Sequence, residues 1–170
     1  MSATTSSIEA PTKSPEALAG NLGWLLAQAS HALMTQQTAR LEALGISPRG
    51  YCVLATAVEG DHTQTELAQA VGLDKTTMVV TLDELEAAGL AERRPSKTDR
   101  RARVIAVTAA GRTKVAEAGE VVAQVQDDVL SVLPPREREA FLKALDGLVC
   151  GPLSAPAACS RPVRRRAPRA

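Results

Sequence analysis

Six cations fall within eleven residues of this chain: Arg93, Arg94, Lys97, Arg100, Arg101 and Arg103 in the run RRPSKTDRRAR, against one acid, Asp99. Clustered guanidinium and ammonium groups bind phosphate oxygens, and an arginine carried on a ribbon fits a narrow minor groove. A second group precedes it, Lys75-Thr76-Thr77 followed by Val79 and Val80. β-Branched residues are a costly choice for exposed helix surface. Their hydroxyls and branched methyls suit base edges in a major groove, where thymine offers a methyl and every base offers polar atoms. Each group alone has a plainer explanation, a solvated charge run or an indifferent surface. Their adjacency points to DNA.

Other chemistry finds little support. A Ser, Cys or Thr nucleophile needs a base within reach, and the chain has only two histidines, His31 and His62. It has no Gly-rich phosphate loop and no metal-binding helix motif. Cys52, Cys150 and Cys159 lack the short spacing of a zinc site, and a cytosolic setting disfavours structural disulfides. Cys52 reads as a small buried hydrophobe. The expectation is a protein that is not an enzyme and holds no metal or cofactor.

The residues that could meet DNA need elements to hold them. Thr63-Gln64-Thr65-Glu66 is a capping box and starts a helix whose apolar face is Leu67, Ala68 and Val71. Gly72 breaks that helix, and Asp74 caps the next. There Met78, Leu82 and Leu85 recur at helical spacing and mark the core face, leaving Thr76, Val80 and Asp83 on the opposite side. Gly89 ends the second helix. Two short helices around a glycine turn make a helix-turn-helix. Leu90–Ser96 and Ala102–Thr108 can then pair as a hairpin carrying the basic run, with Val104 to Val107 of high strand propensity. The product is a winged helix-turn-helix.

The stretch LDKTTMVVTLDELEAAGLAERRPSKTDRRARVIAVTAAG resembles the MarR family of bacterial transcriptional regulators, and the likeness runs from roughly Leu18 to Val149. Its most specific part is Asp99-Arg100-Arg101, followed by a strand and Thr108-Ala109-Ala110-Gly111. The resemblance implies that Arg101 enters the minor groove and that Asp99 braces the wing. The chain departs from many members at Val80, where they carry Arg. Candidate DNA contacts are Thr63, Lys75, Thr76, Thr77, Val80, Lys97, Asp99, Arg100 and Arg101. The resemblance also implies a site for an aromatic or phenolic anion, walled by the first and second helices and the start of the long fifth. Its candidate lining is Trp24, His31, Arg49 and Tyr51. Trp24 and Tyr51 offer apolar bodies with polar tips, and Arg49 or His31 could meet a carboxylate. The plainer alternative makes Trp24 and Tyr51 core and Arg49 surface. Some relatives sense oxidants through a cysteine at the start of the first helix, which this chain lacks.

At 170 residues the chain is one domain by the usual prior. Its net charge of +1 means that DNA affinity must come from a local patch. Aromatic residues make up 2%, which argues against base-stacking RNA modules. No long uncharged apolar run suggests a membrane helix, and the N-terminus lacks an apolar signal core, so a cytoplasmic protein is expected.

Residues 1–15 are rich in Ser, Thr and Pro and read as a disordered tail. A helical pattern follows from Pro15-Glu16 to Leu44, wide enough in its apolar surface to need more than one partner. Ser47 and Pro48 start the next helix, and Glu59 to His62 reads as a loop. After the hairpin, Thr108 can cap a helix from Ala109 to about Leu133. Pro134-Pro135 breaks it, and a last helix runs from Arg136 to Val149. Residues 151–170, rich in Pro, Ala and Arg, read as a disordered basic tail.

The fold class expected is mainly α with a small β-hairpin wing: a MarR-like domain over 16–150, with a winged helix-turn-helix at about 47–108 and dimerisation helices at 16–44 and 109–149. From residues alone, those outer helices could equally pack within one larger monomer. The function expected is a homodimeric, sequence-specific repressor of transcription, bound to a near-palindromic double-stranded operator and released by a small aromatic ligand. Alternatives are a redox-responsive regulator using Cys52, and a winged-helix protein-interaction module that does not bind DNA.

Overall fold

The computed structural model describes residues 14–96 and 102–154. Four of the candidate DNA contacts, Lys97, Asp99, Arg100 and Arg101, therefore lie outside the described residues, as do Cys159 and most of both terminal tails. Contacts divide the chain after Gln126 into two units.

The first unit opens with a single turn at Glu16–Leu18 and then α1, Leu22–Leu41. The continuous helix expected from residue 16 is thus interrupted. Gly20 takes a left-handed φ of 77°, and Asn21 starts α1 anew by accepting a hydrogen bond from the Trp24 amide at 2.9 Å. Of the α1 residues only Leu41 is buried; Leu22 and Leu25 remain exposed. A further turn, Glu42–Leu44, leads to α2, Pro48–Val58. Ser47 caps α2, accepting from the Gly50 amide at 3.1 Å, with Pro48 in the first turn as expected.

Next come β1 (His62–Thr63), α3 (Gln64–Ala70), α4 (Lys75–Ala87), β2 (Ala91–Pro95) and β3 (Arg103–Val107). The three strands form one antiparallel sheet in the order β1-β3-β2. The expected hairpin is present, with Arg93 opposite Ile105 and Pro95 opposite Arg103. The third strand is a correction: His62, expected in a loop, pairs with Ile105 across β1 and β3. Two residues are too few to leave a period-2 signature.

Leu41, Ile46, Val53, Leu54, Leu67, Met78, Leu82, Leu85, Leu90, Ile105 and Ala118 form the core of this unit. The predicted core faces of α3 and α4 are therefore the observed ones. Cys52 is a second correction. Gly50, Val53, Leu54 and Ala57 occupy the buried stripe of α2, which puts Cys52 on the opposite, exposed side.

From β3 the chain turns into α5, Ala109–Leu130, which straddles the division between units. Its start is clamped to the end of α4. The Thr108 hydroxyl donates to the Gly89 carbonyl at 2.8 Å and accepts from the Gly111 amide at 3.0 Å. Gly111 sits so close to the Leu90 carbonyl that a Cβ there would lie 2.0 Å from its oxygen.

In the second unit, α6 spans Pro135–Cys150. Arg138 closes the preceding turn, its Nε donating to the Leu133 carbonyl at 2.9 Å. Val129, Val132, Phe141, Leu142, Val149 and Leu153 are all exposed apolar residues of this unit. Among the described residues no helix is long and apolar enough to cross a membrane.

Candidate nucleic-acid interface

The start of α4 is fixed by a dense set of local bonds. Asp74 Oδ1 accepts from the amides of Thr76 at 2.9 Å and Thr77 at 3.0 Å, and Oδ2 accepts from the Thr77 hydroxyl at 2.6 Å. The Thr77 hydroxyl, then its amide, hold the Asp74 carboxyl below the usual carboxylate range. Gly72, at φ 67°, provides the turn from α3. On this rigid start Lys75, Thr76 and Val80 are exposed, Val80 by 52%. Met78, Thr81, Leu82 and Leu85 are buried behind them. The Thr81 hydroxyl is satisfied by the Thr77 carbonyl at 2.9 Å.

Thr63 is committed to its cap. Its amide donates to Glu66 Oε2 at 2.7 Å and its hydroxyl to the same oxygen at 2.9 Å, while the Glu66 amide donates back to that hydroxyl at 3.3 Å. The Thr63 amide, then the Thr63 hydroxyl, lower the Glu66 carboxyl below its ordinary range.

α4 is polar in two different ways along its length. Its first turn carries Lys75 and hydroxyls; its second half carries Asp83, Glu84 and Glu86. Carboxylates repel phosphates, so the N-terminal half is the end suited to a groove. Two of those acids are matched by Arg93 of β2. Its Nη2 meets Asp83 Oδ1 at 2.8 Å, its Nη1 contacts Glu86 Oε2, and its amide donates to Glu86 Oε1 at 2.7 Å. Arg94 pairs with Glu92 on the same strand. Two cations of the basic run are thus paired within the protein, Arg93 partly buried and Arg94 on the surface, and Arg103 is exposed. The sequence signal for Arg93 was Asp83 and Glu86, one helical turn apart on α4. Its partner lies across the Gly89 turn, where no periodicity connects them.

A cleft of about 540 Å³ lies beside the same helix. His31, Met34, Thr35 and Thr38 of α1, Ser47, Pro48 and Arg49 at the start of α2, and Thr76, Thr77, Val80, Thr81 and Glu84 of α4 line it. The third wall of this cleft is α4; the resemblance implied the start of α5 for a ligand site. His31 and Arg49 are brought together there, alongside three of the candidate base contacts. Trp24 and Tyr51 are not in the lining. Trp24 sits two turns before His31 on α1, about 10 Å along the axis. Tyr51 packs on the core, with its hydroxyl 3.5 Å from where a Cβ on Gly119 of α5 would stand.

Neither described cysteine is activated. Surrounding atoms crowd the Cys52 sulfur enough that burial raises its thiol above the ordinary range, although the residue is exposed by area. The Asp146 carboxylate, 3.5 Å away, does the same to Cys150. Both thiols stay protonated at neutral pH. Among the described residues no three His, Cys, Asp or Glu side chains group as metal ligands.

The sequence profile of the MarR family matches residues 44–102, the stretch from the end of the turn before α2 to the residue before β3. The solved structure of the transcriptional regulator PA3341 is 34% identical to this chain, covering 75% of it and 95% of PA3341, with a TM-score of 0.66. The transcriptional repressor CouR bound to a 23-mer DNA duplex is 27% identical over 82% of this chain and 99% of its own, with a TM-score of 0.73. CouR from Rhodococcus jostii RHA1 bound to p-coumaroyl-CoA is 28% identical, over 79% and 95%, with a TM-score of 0.70.

Proposed function

This chain belongs to the MarR family of transcriptional regulators, and from that premise we propose that it is a homodimeric, sequence-specific DNA-binding repressor, released from its operator by a small aromatic anion. It acts as a regulator of transcription and not as an enzyme. The observation that carries the reading is the start of α4: exposed Lys75, Thr76 and Val80 on a helix turn fixed by Asp74, with the wing strand ion-paired to the same helix. Such a helix enters the major groove by its N-terminal residues. Arg101 in the minor groove, Lys97 and Arg100 on phosphates, and Asp99 as a brace within the wing complete the proposed contact set.

In this reading 47–108 is the DNA-binding part, and 16–44 with 109–149 supply the dimer interface. The exposed Leu22 and Leu25 on α1 support that, as do Phe141, Leu142 and Val149 on α6. The place of action is the cytoplasm. CouR, a relative at 27% identity, is a repressor solved with a DNA duplex, which supports both the DNA and the direction of control. The raised Cys52 thiol speaks against a thiolate-based oxidant sensor.

The ligand would sit in the α1–α2–α4 cleft, a carboxylate or comparable anion facing Arg49 and His31 and an apolar body against Met34, Pro48 and Val80. That CouR was solved with p-coumaroyl-CoA, a phenolic acyl thioester, supports the aromatic body of the ligand and leaves its free carboxylate as part of the proposal. Footprinting on the DNA beside the protein's own gene, with and without a panel of aromatic carboxylates, tests the whole reading. A protected near-palindrome, lost on adding ligand and retained in Arg49→Ala, is expected. Because coupling is reciprocal, operator DNA weakens the ligand by the same factor. Protection that no member of the panel disturbs would remove the ligand from the account; no protection at all would remove the operator.

A further inference from the structure

The basic run reads as a string of phosphate ligands, yet Arg93 faces inward. Its guanidinium spans Asp83 and Glu86, residues one turn apart on α4, and its own amide donates to the second Glu86 oxygen at 2.7 Å. Glu86 therefore holds both the side chain and the backbone of one wing residue. The side chains of Arg93 and Glu86 are 29% and 30% exposed, so water screens the pair only in part. An isolated surface pair contributes little, but a three-residue network with a backbone hydrogen bond at its centre restricts geometry as well as charge.

The position matters as much as the bonds. β2 is an outer strand of the sheet. In an antiparallel pair amides point alternately toward and away from the partner strand, and that of Arg93 is taken by Glu86. Glu86 thus ties the outer edge of the wing to the helix. The attachment lies on the acidic half of α4, away from Lys75 and Thr76, and it offsets two negative charges of the helix with one guanidinium.

We propose that Arg93 is a positioning residue: held by Glu86 and Asp83, it locks the wing to α4 so that the helix in the major groove and the wing in the minor groove meet the same operator in register. This rests on the operator-binding reading above. Arg93 itself touches no phosphate. The energetic consequence has an unusual sign, because removing a carboxylate from a DNA-binding protein weakens binding instead of strengthening it.

The test compares full-length wild type, Arg93→Ala, Glu86→Gln, Glu86→Ala and the Arg93→Ala/Glu86→Ala double variant by fluorescence anisotropy on one operator duplex across a salt series. Thermal melts show whether each variant is folded. Arg93→Ala and Glu86→Ala should each weaken binding about five- to thirtyfold. The double variant should be no weaker than the poorer single one, the mark of residues acting as a unit. The slope of log affinity against log salt should stay at the wild-type value, whereas losing a phosphate contact would shrink it by about one unit. Glu86→Gln keeps an acceptor for the Arg93 amide and should fall between wild type and Glu86→Ala.

Hydrogen exchange supplies a readout that needs no DNA: Glu86→Ala should deprotect the Arg93 amide while the β3 amides stay protected. If wild type shows no operator preference, the exchange result still judges the lock, and only the DNA reading fails. A salt slope reduced by one in Arg93→Ala, or tighter binding by Glu86→Gln, would overturn the proposal. So would unchanged exchange at Arg93.

Discussion

Asp74 shows how much one side chain does here. Its carboxylate takes two amides and a hydroxyl at the helix end that is to meet DNA. Those bonds stabilise its charged form, so its folded pKa lies below the unfolded value. A depressed carboxyl contributes stability that is present above the unfolded pKa and lost as pH falls through the folded one. The window therefore opens below about pH 4. Asp74→Asn keeps a cap acceptor but cannot titrate. Its melting temperature should fall less steeply than that of wild type between pH 5 and the acid limit of the melt, both pH values being approximate. Asp74→Ala should melt lower at neutral pH and bind operator more weakly. Melts of the three proteins over that pH range check the point; parallel curves for wild type and Asp74→Asn would assign the depressed pKa no role in stability.

At this scale caps are legible in sequence because they are local. Ser47, Thr63, Asp74 and Thr108 each bond within three residues, and all four are found in place. Arg93 was not legible. It opens a run of cations that reads as one basic patch, and its partners lie seven and ten residues back across a turn. Cys52 was misread because a free cysteine is most often a small buried residue, although the helical phase of Val53, Leu54 and Ala57 already turned it outward.

Among elements, the junction of α4, β3 and α5 is the least forgiving. A Cβ on Gly111 would meet the Leu90 carbonyl oxygen at 2.0 Å and the Val107 Cγ1 at 2.7 Å. A side-chain neighbour can rotate away; a carbonyl fixed in the chain cannot. Gly111→Ala should therefore cost at least the usual overpacking penalty of about 1–3 kcal/mol, read by urea unfolding. The Thr108 hydroxyl, bonded to Gly89 across the same junction, should share the effect in Thr108→Val. A Gly111→Ala protein as stable as wild type would mean that α5 is not held against Leu90 as described.

The elements themselves were readable because apolar periodicity and glycines at turns set them: Met78, Leu82 and Leu85 for α4, Gly72 and Gly89 for its limits. Besides the two-residue strand β1, two features escaped. The break at Gly20-Asn21 lies inside an unbroken leucine pattern, where periodicity outvoted a local cap signal. The cleft's third wall depends on how α4 packs beside α1 and α2, a tertiary fact with no sequence period.

At the scale of the whole molecule the question is what covers the exposed apolar residues. Phe141, Leu142, Val149 and Val132, the last 83% exposed, are large apolar side chains left to water in the second unit. A second copy of this chain is the proposed cover. Sedimentation at micromolar concentration should give a dimer, and Phe141→Glu should shift it toward monomer. A monomeric wild type would sink the symmetric operator along with it. Two-fold symmetry makes the operator near-palindromic, with half-sites about one DNA turn apart, roughly 10 bp.

The central claim is that α4 reads sequence, and one comparison tests it most directly. Anisotropy titrations should be run on the footprinted operator and on a scrambled duplex of equal length and composition, at matched salt. The account predicts one dimer per operator and a preference over the scrambled duplex of about a thousandfold or more, collapsing toward unity in the Thr76→Ala/Val80→Ala variant while the salt slope on scrambled DNA stays unchanged. Equal affinity for both duplexes would contradict it, reducing the protein to a nonspecific binder of phosphate.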